Sequence, residues 1–133
     1  MKRTHRRSRY PYALLLIALL PLAADAEVLQ PMLPGWERIF RIDVKPGERK
    51  GKPILRGDLV NDSPYTIGRV RLLADALDGS GNVIAQKIEY VPRVMGPFSS
   101  QYFEIPAPGP APAYRVQVFD YERIESGPGR DWR

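Results

Sequence analysis

Apolar and polar residues alternate with a period of two along most of this chain. Phe40, Ile42 and Val44, for example, are interleaved with charged residues. Such a period places successive side chains on opposite faces of a strand, so each segment of this kind predicts a strand with one apolar face. Outside the first 26 residues, no segment shows a convincing apolar period of 3.6 residues. The predicted strands are 40–45, 53–61, 67–77, 83–91, 98–105 and 114–125.

Turn-forming residues separate these segments. The clearest turn is Asp-Gly-Ser-Gly-Asn at 78–82, which predicts that 67–77 and 83–91 form an antiparallel hairpin. Five or six turn-punctuated strands are typical of an all-β, antiparallel β-sandwich. Two layers are needed because a single sheet of this length would leave one apolar face in water.

The chain begins with the features of a secretory signal peptide. A basic head ending at Arg9 precedes an apolar run over 13–20, and Ala24-Asp25-Ala26 supplies the small residues of a cleavage site. We therefore predict a helical signal peptide over 1–26 and a periplasmic or secreted protein. The apolar run is roughly a dozen residues, whereas about 20 are needed to cross a bilayer, so we expect no stable membrane anchor after cleavage.

The 107 residues that follow position 26 are enough for one compact domain. Two prolines and a glycine make 27–37 an extended lead-in rather than a helix. The β-sandwich domain is predicted over 38–125, and the polar residues 126–133 are predicted to be a disordered tail.

Residue counts exclude several classes of site from the mature chain. The first 26 residues hold five of the 20 Lys and Arg residues and one of the 15 acids, so 15 bases face 14 acids afterwards. This near-neutral balance disfavours nucleic-acid binding. The chain has no Cys, and its one His, His5, lies in the signal peptide. Ser-His-Asp and Cys-His nucleophilic sites, Cys/His zinc sites and haem ligation by His or Cys are therefore excluded, and no cofactor is predicted.

The spacing of several strand signatures is similar to a known family. The signatures are Leu55-x-Gly57-x-Leu59-x-Asn61-x-Ser63, Ile67-x-x-Val70-x-Leu72, Gly81-Asn82-Val83, Pro97-Phe98, Tyr102-Phe103-Glu104-Ile105 and Tyr114-x-Val116-x-Val118. Over about 38–125 the chain resembles the FxLYD-type and related immunoglobulin-like β-sandwich domains of bacterial envelope proteins. At 73–78 the run Leu-Ala-Asp-Ala-Leu-Asp keeps the acid of the naming motif and lacks its aromatic residues. The resemblance implies an immunoglobulin-like, extracytoplasmic and non-catalytic module, and it brings no ligand with it.

Two residues stand out for structural reasons. Gly57, in the middle of a predicted strand, indicates a close approach by neighbouring backbone or a bulky inward neighbour. Asn61, at the end of the same strand, is expected to bond the backbone of the following turn and so to set where the next strand begins.

Four residues are the candidates for contact with a partner: Arg56, Arg69, Arg71 and Trp36. Arg69 and Arg71, with Arg56 nearby, would make a cationic stripe that holds a carboxylate or an acidic peptide. The alternative is an ordinary solvated strand face balanced by Asp58 and Asp75. Trp36 would form an aromatic platform with Tyr65 and Tyr90, or these rings are simply half-buried at the edges of the sandwich.

Acidic residues offer two further hypotheses, neither of which leads to an assigned catalytic or metal site. Asp120 with Glu122, or Asp58 with Asp62, are the carboxylate pairs available for acid–base catalysis. The turn at 78–82 together with Glu89 has the oxygen spacing of a calcium loop, but Val83 stands where the sharp turn of that loop needs Gly. An ordinary hairpin turn is the favoured interpretation.

The sequence thus predicts an exported, non-catalytic binding or scaffolding module of the cell envelope that contacts another envelope protein. The expected contact surfaces are an exposed strand edge or the proline-rich loop at 106–112. The alternatives are a carboxylate-dependent envelope hydrolase and a carbohydrate- or calcium-binding accessory module.

Overall fold

The computed structural model describes residues 27–124, so the predicted signal peptide and the predicted tail both lie outside the described residues. Within 27–124 the chain is all-β, as predicted, and no helix there is long and apolar enough to cross a membrane. The elements are a 3₁₀ helix (Trp36–Arg38), β1 (Phe40–Arg49), β2 (Lys52–Asn61), β3 (Thr66–Leu77), β4 (Val83–Val91), β5 (Ser100–Pro106) and β6 (Ala113–Ile124).

The six strands form two antiparallel sheets of three strands each. Sheet A has the order β1-β2-β5, and sheet B has the order β4-β3-β6. The inner faces of the two sheets share one hydrophobic core, which explains why the apolar residues recur at every second position. The core is made by Phe40, Leu55, Leu59, Ile67, Val70, Leu72, Ala74, Val91, Met95, Phe103, Ile105, Val116 and Val118.

Two tight hairpins set the registers within the sheets. The predicted β3–β4 hairpin is confirmed, with strand pairing from Val70↔Val91 to Leu77↔Val83. The β1–β2 hairpin closes through a two-residue loop in which Lys50 (φ 50°) and Gly51 (φ 75°) are both left-handed. This is the geometry of a type I′ turn, whose twist matches that of the flanking strands.

The positions of Gly57 and Asn61 agree with the roles expected for them. A Cβ atom at Gly57 would overlap the backbone of β1, so the close approach of a neighbouring strand is confirmed. The Asn61 side chain is fully buried and hydrogen-bonds the turn that leads into β3.

The predicted strand 98–105 begins two residues too early. Strand β5 starts at Ser100, because Phe98 takes a left-handed backbone conformation (φ 53°) that ends any strand geometry there. The N–H of Phe98 donates to the carbonyl of Ser63 at 3.1 Å, which ties two loops together. The Phe98 ring is left 69% exposed beside the start of β5.

The lead-in crosses the outer face of sheet B. At one side of the sheet, the main chain of Leu29 exchanges two hydrogen bonds (2.8 and 3.0 Å) with the side chain of Gln86 on β4. At the other side, the N–H of Met32 donates to the carbonyl of Phe119 on β6 at 2.8 Å. The segment therefore runs from one edge strand of the sheet to the other and passes over β3 between them.

This crossing corrects the expectation that Asp75 belongs to a solvated face. Asp75 points to the outer face of sheet B, but it is 0% exposed. Its carboxylate accepts hydrogen bonds from Arg115 (2.8 and 3.0 Å) and from Gln86 (2.8 Å), the residue that also binds the lead-in. Leu73, on the same face, is likewise 0% exposed. Sequence alternation identifies the face, but not the segment that covers it.

Candidate interaction surfaces

Arg69 and Arg71 lie together where the pairing of β3 with β6 is irregular. The register shifts on both sides of Arg71, and Arg69 has a left-handed backbone (φ 48°). Bulges of this kind redirect side chains and are common beside functional sites. The two arginines line a cavity of about 250 Å³ together with Tyr90, Asp120, Tyr121 and Glu122.

The charges in this cavity are already paired within the protein. Arg71 binds Asp120 in a bidentate manner, and these hydrogen bonds raise the pKa of the Arg71 guanidinium. The Arg71 guanidinium also lies 5.1 Å from the centroid of the Phe119 ring. Arg69 faces Glu122 at 3.6 Å. The donors of Arg71 are engaged by Asp120, and the charge of Arg69 is balanced by Glu122. The face therefore resembles the balanced alternative more than a cationic stripe, with Asp120 and Glu122 as the balancing acids.

Arg56 does not join the other two arginines. It lies on β2 in sheet A, whereas Arg69 and Arg71 lie on the outer face of sheet B. The prediction of a three-arginine stripe is therefore wrong. Arg56 instead lines a separate cavity with Lys45, Asp43 and Asp58.

The three aromatic residues proposed as a platform are found on three different elements. Trp36 lies on the 3₁₀ helix and packs partly buried against the core. Tyr65 lies in the β2–β3 loop, with the Arg123 guanidinium 3.4 Å from its ring centroid. Tyr90 is exposed on β4, near Arg71. The structure supports the half-buried interpretation for Trp36 and does not assemble a common platform.

The carboxylate pairs proposed for catalysis are largely engaged by arginine. Asp120 and Glu122 face Arg71 and Arg69, as described above, and Asp62 lies 3.6 Å from Arg41. The proposed calcium ligands are also separated. Glu89 pairs with Leu72, six residues along β3 from Asp78, which corresponds to about 20 Å. Within residues 27–124, no group of three or more His, Cys, Asp or Glu side chains is placed to hold a metal ion.

Asp78 instead organises the β3–β4 turn. Its carboxylate accepts hydrogen bonds from the N–H groups of Ser80 and Asn82, both at 2.9 Å, and from the Asn82 amide at 3.3 Å. The bond from the Asn82 N–H is the largest cause of a lowered pKa for Asp78. This is the capped turn that Asp favours.

We expect Asp78→Ala to lower the melting temperature at neutral pH, because three hydrogen bonds to the carboxylate are lost. The folded pKa of Asp78 is below its ordinary value of 3.8, so this stabilisation is complete above that pH and is lost as the pH falls through the lowered pKa. The melting-temperature difference between wild type and variant should therefore shrink on acidification. Ser80→Ala is the control, since it keeps the Ser80 N–H. Equal losses in both variants, or a difference that does not depend on pH, would contradict this account.

Among the described residues, strand β5 has no main-chain partner along one of its sides. The N–H of Asn61 donates to the carbonyl of Ser99, and the N–H of Ala107 donates to that of Pro53. In the antiparallel register of β2 and β5, the main-chain groups of the odd-numbered β5 residues therefore bond to β2. The main-chain groups of the even-numbered residues are directed away from β2. Ser100, Tyr102 and Glu104 thus direct their N–H and C=O groups away from sheet A, and no main-chain partner for them is found within residues 27–124.

An open groove follows this free edge. It has a volume of about 520 Å³ and is bounded by β5 residues 100–105 on one side and by Tyr90, Pro92 and Arg93 on the other. The core residues Phe103 and Ile105 contribute to its wall. A segment lying in this groove would meet both the free main-chain groups and the margin of the core.

Each of the other edge strands carries a feature that hinders pairing. On β1 the main-chain N–H and C=O groups of the even-numbered residues are directed away from β2. One of these residues, Pro46, has no N–H to offer a further strand. On β4, Lys87 and Glu89 oppose the core residues Ala74 and Leu72, so they turn charge toward the interior face of this edge. On β6, as shown above, the lead-in already occupies the carbonyl of Phe119.

The proline-rich loop is held against the body of the domain. The Tyr114 hydroxyl donates to the carbonyl of Gly109 at 2.6 Å and accepts from the N–H of Ala111 at 3.1 Å. Of the two contact surfaces that the sequence predicts, the strand edge thus has more unsatisfied hydrogen-bonding capacity. Sequence reasoning did not identify Ser100, Tyr102 and Glu104, because their significance lies in main-chain groups that carry no side-chain signal.

Comparison with known proteins identifies no relative: no family model, curated protein or solved structure matches the chain.

Proposed function

We propose that this protein is an exported, non-catalytic binding module that adds an extended segment of another envelope protein to the free edge of β5. The proposal is carried by the N–H and C=O groups of Ser100, Tyr102 and Glu104, which have no main-chain partner within residues 27–124 and lie beside an open groove. An extended peptide satisfies such groups by continuing the sheet. The main chain then provides affinity, and the side chains at alternate positions provide specificity.

The export and the finer fold assignment rest on separate observations. The basic head, apolar run and small residues of 1–26 support secretion into the periplasm or beyond it. The strand orders β1-β2-β5 and β4-β3-β6 support an immunoglobulin-like β-sandwich, since they resemble the A-B-E and C′-C-F arrangements of that fold. A location in the cell envelope would bring the module together with other envelope proteins, the class of partner that we propose.

Hydrophobic surface near the edge would contribute to the same contact. Phe98 precedes β5 with 69% of its surface exposed, and Tyr102 on the strand is 58% exposed. Exposed aromatic side chains are frequent anchors in protein interfaces because they bury a large area. The strained backbone of Phe98 is consistent with a side chain held out for contact.

We expect Tyr102→Pro to weaken partner binding by about tenfold or more while leaving the fold intact. Proline removes the outward N–H at the centre of the free edge, whereas the bonds between β5 and β2 use the neighbouring residues. The measurement is recovery of partners from a periplasmic extract with the wild-type protein and with the variant, followed by affinity measurement on the recovered partner. Hydrogen exchange on the complex should show new protection at Ser100, Tyr102 and Glu104.

The matched control is Tyr102→Val, which removes the ring but keeps the N–H. If both variants lose binding equally, the ring and not the edge is responsible, and strand addition is wrong. Full protection of the β5 edge amides in the isolated monomer would also exclude this mechanism, since the groups would then have a partner already.

A further inference from the structure

Four charged side chains on the outer face of sheet A are arranged with like charges side by side. In the register of β1 and β2, Asp43 lies directly opposite Asp58, and Lys45 lies directly opposite Arg56. These are hydrogen-bonded positions, where opposite residues are about 5.5 Å apart. We call this set, Asp43, Lys45, Arg56 and Asp58, the charge quartet.

Like charges placed directly across a sheet are destabilising. Exchanging the two residues on β1 would convert both repulsive pairs into attractive ones, so the observed order is the less stable of two arrangements with the same composition. Local arrangements that oppose stability are characteristic of functional sites.

In the described part of the chain, no direct contact neutralises the charge quartet. Within residues 27–124, none of its four side chains takes part in an ion pair or a side-chain hydrogen bond. Hydrogen bonding by Arg49 is the main cause of the lowered pKa of Glu104, and the charge of Arg56, which lies opposite Glu104 on β5, adds a smaller contribution without a direct contact. All four members of the quartet are exposed, so their charges are available to a ligand.

The quartet surrounds a depression rather than a flat surface. Its four members line a cavity of about 220 Å³ together with Gly57 and Tyr102. The Arg56 guanidinium extends over Gly47, where a Cβ atom would lie 3.3 Å from Arg56 Nε. The Tyr102 ring stands at the side of the cavity, and its hydroxyl is directed to Glu104 at 3.2 Å. The site therefore has a concave shape, an aromatic wall and two charged ends.

We infer that the charge quartet binds a dipolar ligand carrying one cationic and one anionic group about 7 Å apart, the distance between positions i and i+2 of a strand. The ligand's cation lies between Asp43 and Asp58, and its anion lies between Lys45 and Arg56. Each ligand charge removes one like-charge repulsion and gains two attractive partners. This site uses the side-chain face of sheet A and does not depend on strand addition at β5.

Two sources supply this chemistry. An Nα-acylated diamino acid such as Nα-acetyl-L-lysine carries only its carboxylate and its ε-ammonium, at a comparable separation. An extended peptide with an acidic residue at i and a basic residue at i+2 presents the same two charges on one face. The probes are therefore Nα-acetyl-L-lysine and the peptide acetyl-Ala-Glu-Ala-Lys-Ala-amide. Their respective controls are Nα-acetylnorleucine, which lacks the ε-ammonium, and acetyl-Ala-Glu-Lys-Ala-Ala-amide, in which the charges point to opposite faces.

The decisive variant is the double exchange Asp43→Lys with Lys45→Asp. It keeps net charge and composition and places opposite charges across from each other at both positions. We expect its melting temperature to rise by about 2–8 °C, given the usual size of cross-strand charge pairs in a domain of this length. For any probe that the wild type binds, we expect the affinity of this variant to be lower by about tenfold or more. The reason is that each end of the site then carries one positive and one negative side chain.

Binding is measured by NMR titration of the full chain, with chemical-shift changes expected around Gly57 and Tyr102. Saturable binding of Nα-acetyl-L-lysine but not Nα-acetylnorleucine supports an Nα-acylated diamino acid. Binding of the i, i+2 peptide but not its control supports a peptide segment. The inference is overturned if neither probe binds, if the double exchange binds as well as the wild type, or if its melting temperature does not rise. The double exchange leaves the outward N–H and C=O groups of Ser100, Tyr102 and Glu104 unchanged and is therefore expected to retain strand addition. Failure of the dipolar site and failure of strand addition are thus distinguishable.

Discussion

Replacing Asn61 with alanine is expected to lower the free energy of unfolding by about 3–5 kcal/mol, because several buried polar groups lose their partners at once. The Asn61 amide donates to the carbonyls of Tyr65 (2.8 Å) and Gly96 (2.9 Å). Its oxygen accepts from the N–H (3.1 Å) and the hydroxyl (2.6 Å) of Ser63. The side chain is 0% exposed, so water does not replace these bonds without rearrangement. Denaturant unfolding followed by circular dichroism measures the loss.

Two variants separate the hydrogen bonds from the volume of the side chain. Asn61→Asp keeps the size but directs an acceptor at two carbonyl groups, so it should also be strongly destabilised. Ser63→Ala removes only one hydroxyl and should lose about 1 kcal/mol. Asn61 joins the β2–β3 loop to the β4–β5 loop through Tyr65 and Gly96. A loss below about 1 kcal/mol for Asn61→Ala would show that other contacts hold these two loops together.

The second large effect is expected for Gly57→Ala, which should destabilise the protein by about 3 kcal/mol. A Cβ atom at this position would lie 1.7 Å from the carbonyl oxygen of Asp43 and 2.9 Å from the Cα of Val44. Both atoms belong to the backbone of β1, so relief requires that β1 move away from β2. Thermal and denaturant unfolding would both report the change.

Gly79→Ala is the matched control for this substitution. A Cβ atom at Gly79 meets nothing within 4 Å, so the same change should be neutral or slightly stabilising there. Equal stability of the two variants would mean that the β1–β2 interface accommodates a methyl group, and that the close approach of the strands is not a constraint on the sequence.

The two proposed surfaces lie on the same sheet but use different groups. Strand addition at β5 uses main-chain groups at the edge, whereas the charge quartet uses side chains on the face. Tyr102 belongs to both, through its N–H in the first case and its ring in the second. A partner that occupies the edge would therefore lie next to the dipolar site.

Part of the interaction surface follows from sequence and part does not. Arg69 and Arg71 are correctly predicted to share a face, because both lie on one strand and the period of two relates them. Their partners Asp120 and Glu122 come from β6, and the bulges that bring them into contact depend on how two distant strands align. The grouping with Arg56 is wrong for the same reason, since sequence does not say which sheet a strand joins.

What the sequence determines here is local: the two-residue alternation makes the described chain all-β, and the turn at 78–82 makes a hairpin. Gly57 and Asn61 mark a close approach and a strand end. Only the tertiary structure decides that Asp75 is buried on the face that the lead-in crosses, that β5 keeps a free edge among the described residues, and that like charges meet between β1 and β2. These features depend on which strands become neighbours and in which register, and that choice is made by packing the whole core rather than by any one segment.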